Sequence, residues 1–91
     1  MSALTKALPR AVREIRLLGC QTGAGSAGLR EFISKTYPSI KSANPNLPIL
    51  IREAQGTPAR VFVRYERGLE RHVDVEGLPA SEVSQKISSL L

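Results

Sequence analysis

A short run that is apolar at consecutive positions, Pro48-Ile49-Leu50-Ile51-Arg52, stands behind an amphipathic stretch and an alternating one, and this succession constrains the fold more than any other feature. In Val12-Arg13-Glu14-Ile15-Arg16-Leu17-Leu18, alternation puts Ile15 and Leu17 on one face with Arg13 at its rim. Val12, Glu14, Arg16 and Leu18 fall on the other face, the pattern of a half-buried strand. Leu29, Phe32, Ile33, Thr36/Tyr37 and Ile40 then recur at steps of three and four, which is a helix with one apolar face. The run at 48–52 reads as a strand buried on both faces and therefore as the central one. A strand, a helix of about 15 residues and a second strand are joined by a right-handed crossover, which makes the two strands parallel.

Local signals place the remaining boundaries. Gly19, Gly23, Gly25 and Gly28 crowd a loop in which the Ser26 side chain is placed to cap a helix starting near Ala27. Pro38 lies inside the helical pattern and removes the bond to the carbonyl of Ser34, so the helix either kinks there or is reset into a short last turn before Asn44-Pro45. Past Gln55-Gly56-Thr57-Pro58, residues Val61, Val63 and Tyr65 alternate with Arg60, Phe62, Arg64 and Glu66. Arg67-Gly68 supplies a tight turn, and Glu70 to Val75 returns as the second arm of a hairpin. Pro79-Ala80-Ser81-Glu82 opens a final helix with Val83, Ile87, Leu90 and Leu91 on its apolar side. The order β-α-β-β-β-α, a four-stranded mixed sheet with two helices, is an α/β fold of the thioredoxin-like type. A ferredoxin-like layout needs a helix between other strands.

With 91 residues the chain has room for one domain, expected over residues 12–91 behind a short basic tail at 1–11. A unit this small buries about two thirds of the surface that its unfolded chain exposes, so its stability is marginal unless a partner covers part of it. Residues 1–13 carry Lys6, Arg10 and Arg13 without an acid, a composition shared by mitochondrial presequences and plain basic tails. Because structure is expected from Val12 onward, any targeting information is expected to overlap the domain and stay uncleaved. One cysteine and one histidine exclude a disulfide scaffold and a His/Cys metal cluster, and the longest apolar runs fall far short of the roughly 20 residues of a membrane-spanning helix. Export is not expected, because the first twenty residues lack the run of about 7 to 15 apolar residues of a secretory signal.

Three features bear on chemistry. Cys20 follows the first strand, where a thioredoxin-type fold presents a thiolate, but the position three residues on is Gly23 and no resolving thiol is available. Cys20 is therefore expected to be a packed or merely oxidisable, redox-sensitive thiol. A one-cysteine oxidoreductase is the remote alternative, and no catalytic residue is assigned. Gly23, Gly25 and Gly28 give the spacing G-x-G-x-x-G ahead of a helix, yet the acid that a dinucleotide fold needs about twenty residues later is missing, so these glycines read as backbone necessities. Gly25, Ser26 and Pro58 are assigned structural roles. Pro58, preceded by Thr57, occupies the place where a thioredoxin-like fold commonly has a cis proline, and either isomer is compatible with the sequence. Finally, Arg60, Arg64, Arg67 and Arg71 cluster on the hairpin, with Arg13, Arg16 and Arg52 on strands that can lie beside it. With 13 Lys and Arg against 8 Asp and Glu, net charge +5, this stripe suits an acidic protein partner or an RNA backbone. Two of the four aromatic residues fall on the helix, which argues against base stacking.

Arg13-Glu14-Ile15-Arg16-Leu17-Leu18-Gly19-Cys20-Gln21, Gly25-Ser26-Ala27-Gly28-Leu29-Arg30-Glu31-Phe32-Ile33 and Ala43-Asn44-Pro45-Asn46-Leu47-Pro48-Ile49-Leu50-Ile51-Arg52-Glu53 closely resemble the small thioredoxin-like accessory subunits of mitochondrial respiratory complex I. Their domain is shared with certain mitochondrial ribosomal proteins. The resemblance implies a non-catalytic subunit on the matrix side of the inner membrane, bound to the peripheral arm near the largest iron-sulfur subunit. It implies no flavin, cluster or quinone of the chain's own, no nucleic acid and no membrane insertion. The alternative is a mitochondrial ribosomal protein holding rRNA with the same arginines. Some relatives carry a second cysteine just after the strand ending in Arg52-Glu53. Here that position is Ala54, which removes any intramolecular disulfide switch.

Overall fold

The computed structural model describes residues 11–91, so the expected tail and its targeting signal lie outside the described residues apart from Ala11. The elements are β1 (Val12–Gly19), a single 3-10 turn (Ala24–Ser26), α1 (Ala27–Ala43), β2 (Ile49–Glu53), β3 (Arg60–Tyr65), β4 (Glu70–Asp74) and α2 (Ala80–Ser88). The strands form one sheet in the order β2-β1-β3-β4. β1 runs parallel to β2, with Leu17 beside Ile51, and antiparallel to β3, with Leu17 beside Val61. β4 closes the hairpin antiparallel to β3. The element order and the mixed pairing are those of a thioredoxin-like α/β fold.

Both helices lie on the same side of the sheet. Leu29, Phe32 and Ile40 of α1 and Val83 and Ile87 of α2 join Ile15, Leu17, Val61 and Val63 in a single apolar cluster, and no side chain in this group is more than 4% exposed. The hydroxyl of Tyr65 donates to the carbonyl of Leu90 and ties the end of the last helical segment to β3.

Two expectations are corrected, and one of the two alternatives at Pro38 is removed. The run at 48–52 is an edge strand and β1 is central: Ile49 and Leu50 are only half-buried, and Ile51 is 37% exposed. A continuous apolar run records that both faces are apolar but not on which side a neighbour pairs, and here the hairpin returns to the far side of β1. Second, a register shift between Val12 and Glu14 inserts a bulge, so Val12 turns into the core beside Ile15 rather than away from it. At Pro38 the helix is not reset into a separate turn: α1 continues through it to Ala43. Pro38 and Ser34 are both exposed, so the carbonyl that loses its donor lies on the solvent side of the helix, while buried Ile40 anchors the final turn.

The turn at Arg67-Gly68 forms as expected, with both residues at positive φ (63° and 75°). No cis peptide occurs among the described residues, so the cis alternative at exposed Pro58 does not hold.

Candidate functional site

Two places collect the residues singled out in the sequence: the loop that leaves β1, and the sheet face that carries no helix.

The loop after β1 is built around Cys20, which is 8% exposed. Ser26, buried to 2%, makes no helix cap. Its Oγ instead accepts the backbone N–H of Cys20 at 3.0 Å. Ser26 closes the 3-10 turn that precedes α1, and from there its hydroxyl meets the end of β1. The thiol sulfur accepts the N–H of Gly23 at 3.3 Å and lies 3.8 Å from the Thr22 hydroxyl. Backbone donors at Thr22, Gly56 and Gly23, together with the Thr22 hydroxyl, lower the thiol to about 7 against the opposing effect of burial. A small hollow of about 280 Å³ opens beside it, lined by Gln21, Thr22 and Gln55.

Arg30 was not singled out in the sequence, yet it clamps this loop: its Nη1 donates to the carbonyls of Cys20 (2.7 Å) and Gly23 (2.9 Å). Glu76 was missed as well. Its Oε1 accepts the N–H of Ala59 at 2.8 Å, while the N–H of Gly77 donates to the carbonyl of Gly25 at 2.7 Å. The glycine spacing follows from these approaches. A β-carbon on Gly25 would overlap the Glu76 carboxylate, and one on Gly28 would overlap the carbonyl oxygen of Leu78. The close neighbours of the G-x-G-x-x-G segment are thus a thiol, a carboxylate and a carbonyl. The larger hollow between the two helix starts, about 500 Å³, is lined mainly by small residues, with Glu31 at its side.

The helix-free sheet face is ordered by register into rows. Leu50, Arg16, Phe62 and His72 form one; Arg52, Leu18, Arg60 and Asp74 the next; Glu14, Arg64 and Glu70 the third. The structure therefore brings together Arg16, Arg52, Arg60 and Arg64 of the expected cluster. It separates Arg13, which sits at the bulge and pairs with Glu66 at 3.6 Å, Arg67 in the hairpin turn, and Arg71, which belongs to the helix-side register of β4. Most of the gathered charge is already compensated. Glu14, only 15% exposed, reaches Arg64 at 3.2 Å and Arg16 at 3.5 Å; Arg16 also pairs with Glu70, and Arg60 with Asp74. The Arg16 guanidinium lies 5.2 Å from the centre of the Phe62 ring, which in turn stacks at a tilt on His72. The sequence shows the arginines but not these pairings, because the acids that neutralise them come from β1 and β4.

This arrangement resembles a docking scaffold more than a reaction centre: a self-compensated polar sheet on one side and a single constrained thiol at one end. No helix among the described residues is long and apolar enough to cross a membrane. Residues 29–80 match the family model described as the mitochondrial ribosomal protein L51 / S25 / CI-B8 domain. The chain is 42% identical over 85 residues to the NADH-ubiquinone oxidoreductase 10.5 kDa subunit of Neurospora crassa, an alignment covering 93% of this chain and 90% of that protein. It is 38% identical over 84 residues to NADH dehydrogenase [ubiquinone] 1 alpha subcomplex subunit 2 of Arabidopsis thaliana, covering 92% and 87%. Against the mouse protein of the same name it is 42% identical over 80 residues, covering 88% and 81%. The domain match over more than half of the chain and these near full-length likenesses show that the chain belongs to the L51 / S25 / CI-B8 domain family, in its branch of NADH-ubiquinone oxidoreductase subunits.

Proposed function

We propose that this chain is a non-catalytic accessory subunit of the mitochondrial NADH:ubiquinone oxidoreductase, on the matrix side of the inner membrane, where it stabilises the peripheral arm by protein-protein contacts. The observation that carries this reading is the match to the 10.5 kDa subunit over 93% of this chain and 90% of that one. Association with other subunits also answers the energetic problem of a small domain with one sheet face uncovered. We place the largest iron-sulfur subunit as its neighbour, and the 12–91 domain as the part that docks, with the basic tail at 1–11 retained.

The rival reading, an rRNA clamp, has support in the shared domain description. Against it stands the pairing of Arg13, Arg16, Arg60 and Arg64 with the chain's own carboxylates, since a phosphate backbone would have to displace Glu14, Glu66, Glu70 and Asp74. Native electrophoresis of a digitonin extract of mitochondria, with the chain located by mass spectrometry, tests the assignment. Migration with the NADH-oxidising band is expected. Migration with ribosomal particles overturns it.

A further inference from the structure

The cations are segregated by type. The described lysines Lys35, Lys41 and Lys86 lie on the helices, whereas every described arginine except Arg30 lies on a strand or in the hairpin. Arginine and aromatic residues are enriched in protein-protein interfaces and lysine is depleted there. The helix-free face also holds Leu18 and Leu50, half-buried side chains that nothing on the helical side of the molecule covers. Charge sets the remaining requirement. Arg16, Arg60 and Arg64 have carboxylates, but exposed Arg52, in line with Leu18 and at the β2 edge, has none among the described residues.

From these observations we infer that the helix-free face of the sheet is the surface by which the chain seats on a neighbouring subunit, and that this neighbour lays an apolar side chain on Leu18 and Leu50 and a carboxylate on Arg52. The inference rests on the accessory-subunit reading and adds which face docks and what meets it. A second copy of this chain fits poorly, because the carboxylates its own face would offer, Glu14, Glu70 and Asp74, are already engaged. The hairpin arginines Arg67 and Arg71 lie outside this surface.

The test replaces the endogenous copy in mitochondria with tagged full-length chains carrying a photoreactive residue at Leu50, at exposed His72 on the same face, or at Lys35 on α1. The His72 probe covers the case in which the Leu50 probe disturbs β2. In the isolated NADH-oxidising complex, crosslinks to one protein subunit are expected from the Leu50 or His72 probe and none from Lys35. Arg52→Glu is expected to lower incorporation into the complex at least tenfold and Arg71→Glu less than twofold. Crosslinks from Lys35 alone, crosslinks from the sheet face to RNA or to a second copy, or equal incorporation of the two charge variants overturns the inference while the accessory-subunit reading stands. Failure of the unsubstituted tagged chain to migrate with the complex overturns that reading, and the inference with it.

Discussion

The Ser26 hydroxyl holds the backbone of Cys20: its Oγ accepts the Cys20 N–H at 3.0 Å from a side chain that is 2% exposed. One bond thus fixes the junction between the end of the central strand and the loop that leads into α1. In Ser26→Ala the N–H of Cys20 loses its partner in a place that excludes water, at a cost of about 1–3 kcal/mol. Urea denaturation is expected to show a lower midpoint with an unchanged slope. A midpoint equal to that of the unsubstituted chain would show that the bond contributes nothing.

Arg30 acts on the same loop from the helix side. Its guanidinium bonds the carbonyls of Cys20 and Gly23, so Arg30→Ala is expected to lose about 1–2 kcal/mol and to free the loop locally. Arg30→Lys keeps a charged donor but not the length and planar shape of the guanidinium that bring Nη1 between the two carbonyls, and it should recover only part of the loss. Alkylation of Cys20 reports the loop directly: its rate should rise severalfold in Arg30→Ala under conditions where the rest of the fold is intact.

The Cys20 thiol gives a pH dependence whose sign is fixed by its neighbours. Backbone donors at Thr22, Gly56 and Gly23 and the Thr22 hydroxyl lower it from 9.0 to about 7, which means that the folded chain holds the thiolate better than the unfolded chain does. The resulting stabilisation is fully present above the unfolded value near 9 and is lost as pH falls through about 7. Between these limits the urea midpoint of the unsubstituted chain is expected to rise with pH relative to that of Cys20→Ala. Parallel curves for the two chains would sink the assignment.

Much of this was readable from residue order. The alternation at 60–65 and the apolar positions of both helices found their places because one face of each element is buried against a common core, and periodicity records such a face directly. The loop residues were readable only in outline: Gly25 and Gly28 were expected to be backbone necessities, but what they accommodate, Glu76 and the Leu78 carbonyl, comes from a segment some 50 residues away. The same limit applies to β2, to the bulge at Val12 and to the arginines. Strand order, register shifts and cross-strand ion pairs are relations between segments, and no window of local sequence contains them. Arg30 carried a weak signal, a lone arginine one residue past the first core position of the helix and therefore near the loop that it clamps.

Gly28 marks where α1 meets the segment leading into α2. A β-carbon there would run into the carbonyl oxygen of Leu78, a backbone atom that cannot swing aside as a side chain can. Gly28→Ala must therefore push the helices apart or strain the 77–79 segment, a cost of overpacking of about 1–3 kcal/mol or more. In a domain of this size, soluble expression and the cooperative melting transition are both expected to suffer. A variant as stable as the unsubstituted chain would show that the close approach is readily relieved.

Compensation of the arginines has a consequence that separates protein docking from nucleic-acid binding. Each phosphate neutralised by a free cation contributes about −0.7 to −0.9 to the slope of log affinity against log salt concentration. Among the arginines assigned to the expected cluster, Arg52, Arg67 and Arg71 have no carboxylate partner among the described residues, while Arg13, Arg16, Arg60 and Arg64 do. A fluorescence titration of the full chain with single- and double-stranded RNA is expected to give weak binding in which the seven arginines of the cluster contribute no more than about −3 to the slope, the share of the three without a carboxylate. Glu14→Gln then supplies the internal control: it frees Arg64 entirely and Arg16 in part, so RNA affinity and slope should both increase. A steep slope in the unsubstituted chain that Glu14→Gln leaves unchanged would mean that the carboxylates do not compete with phosphate, and the sheet face would then be open to an RNA backbone.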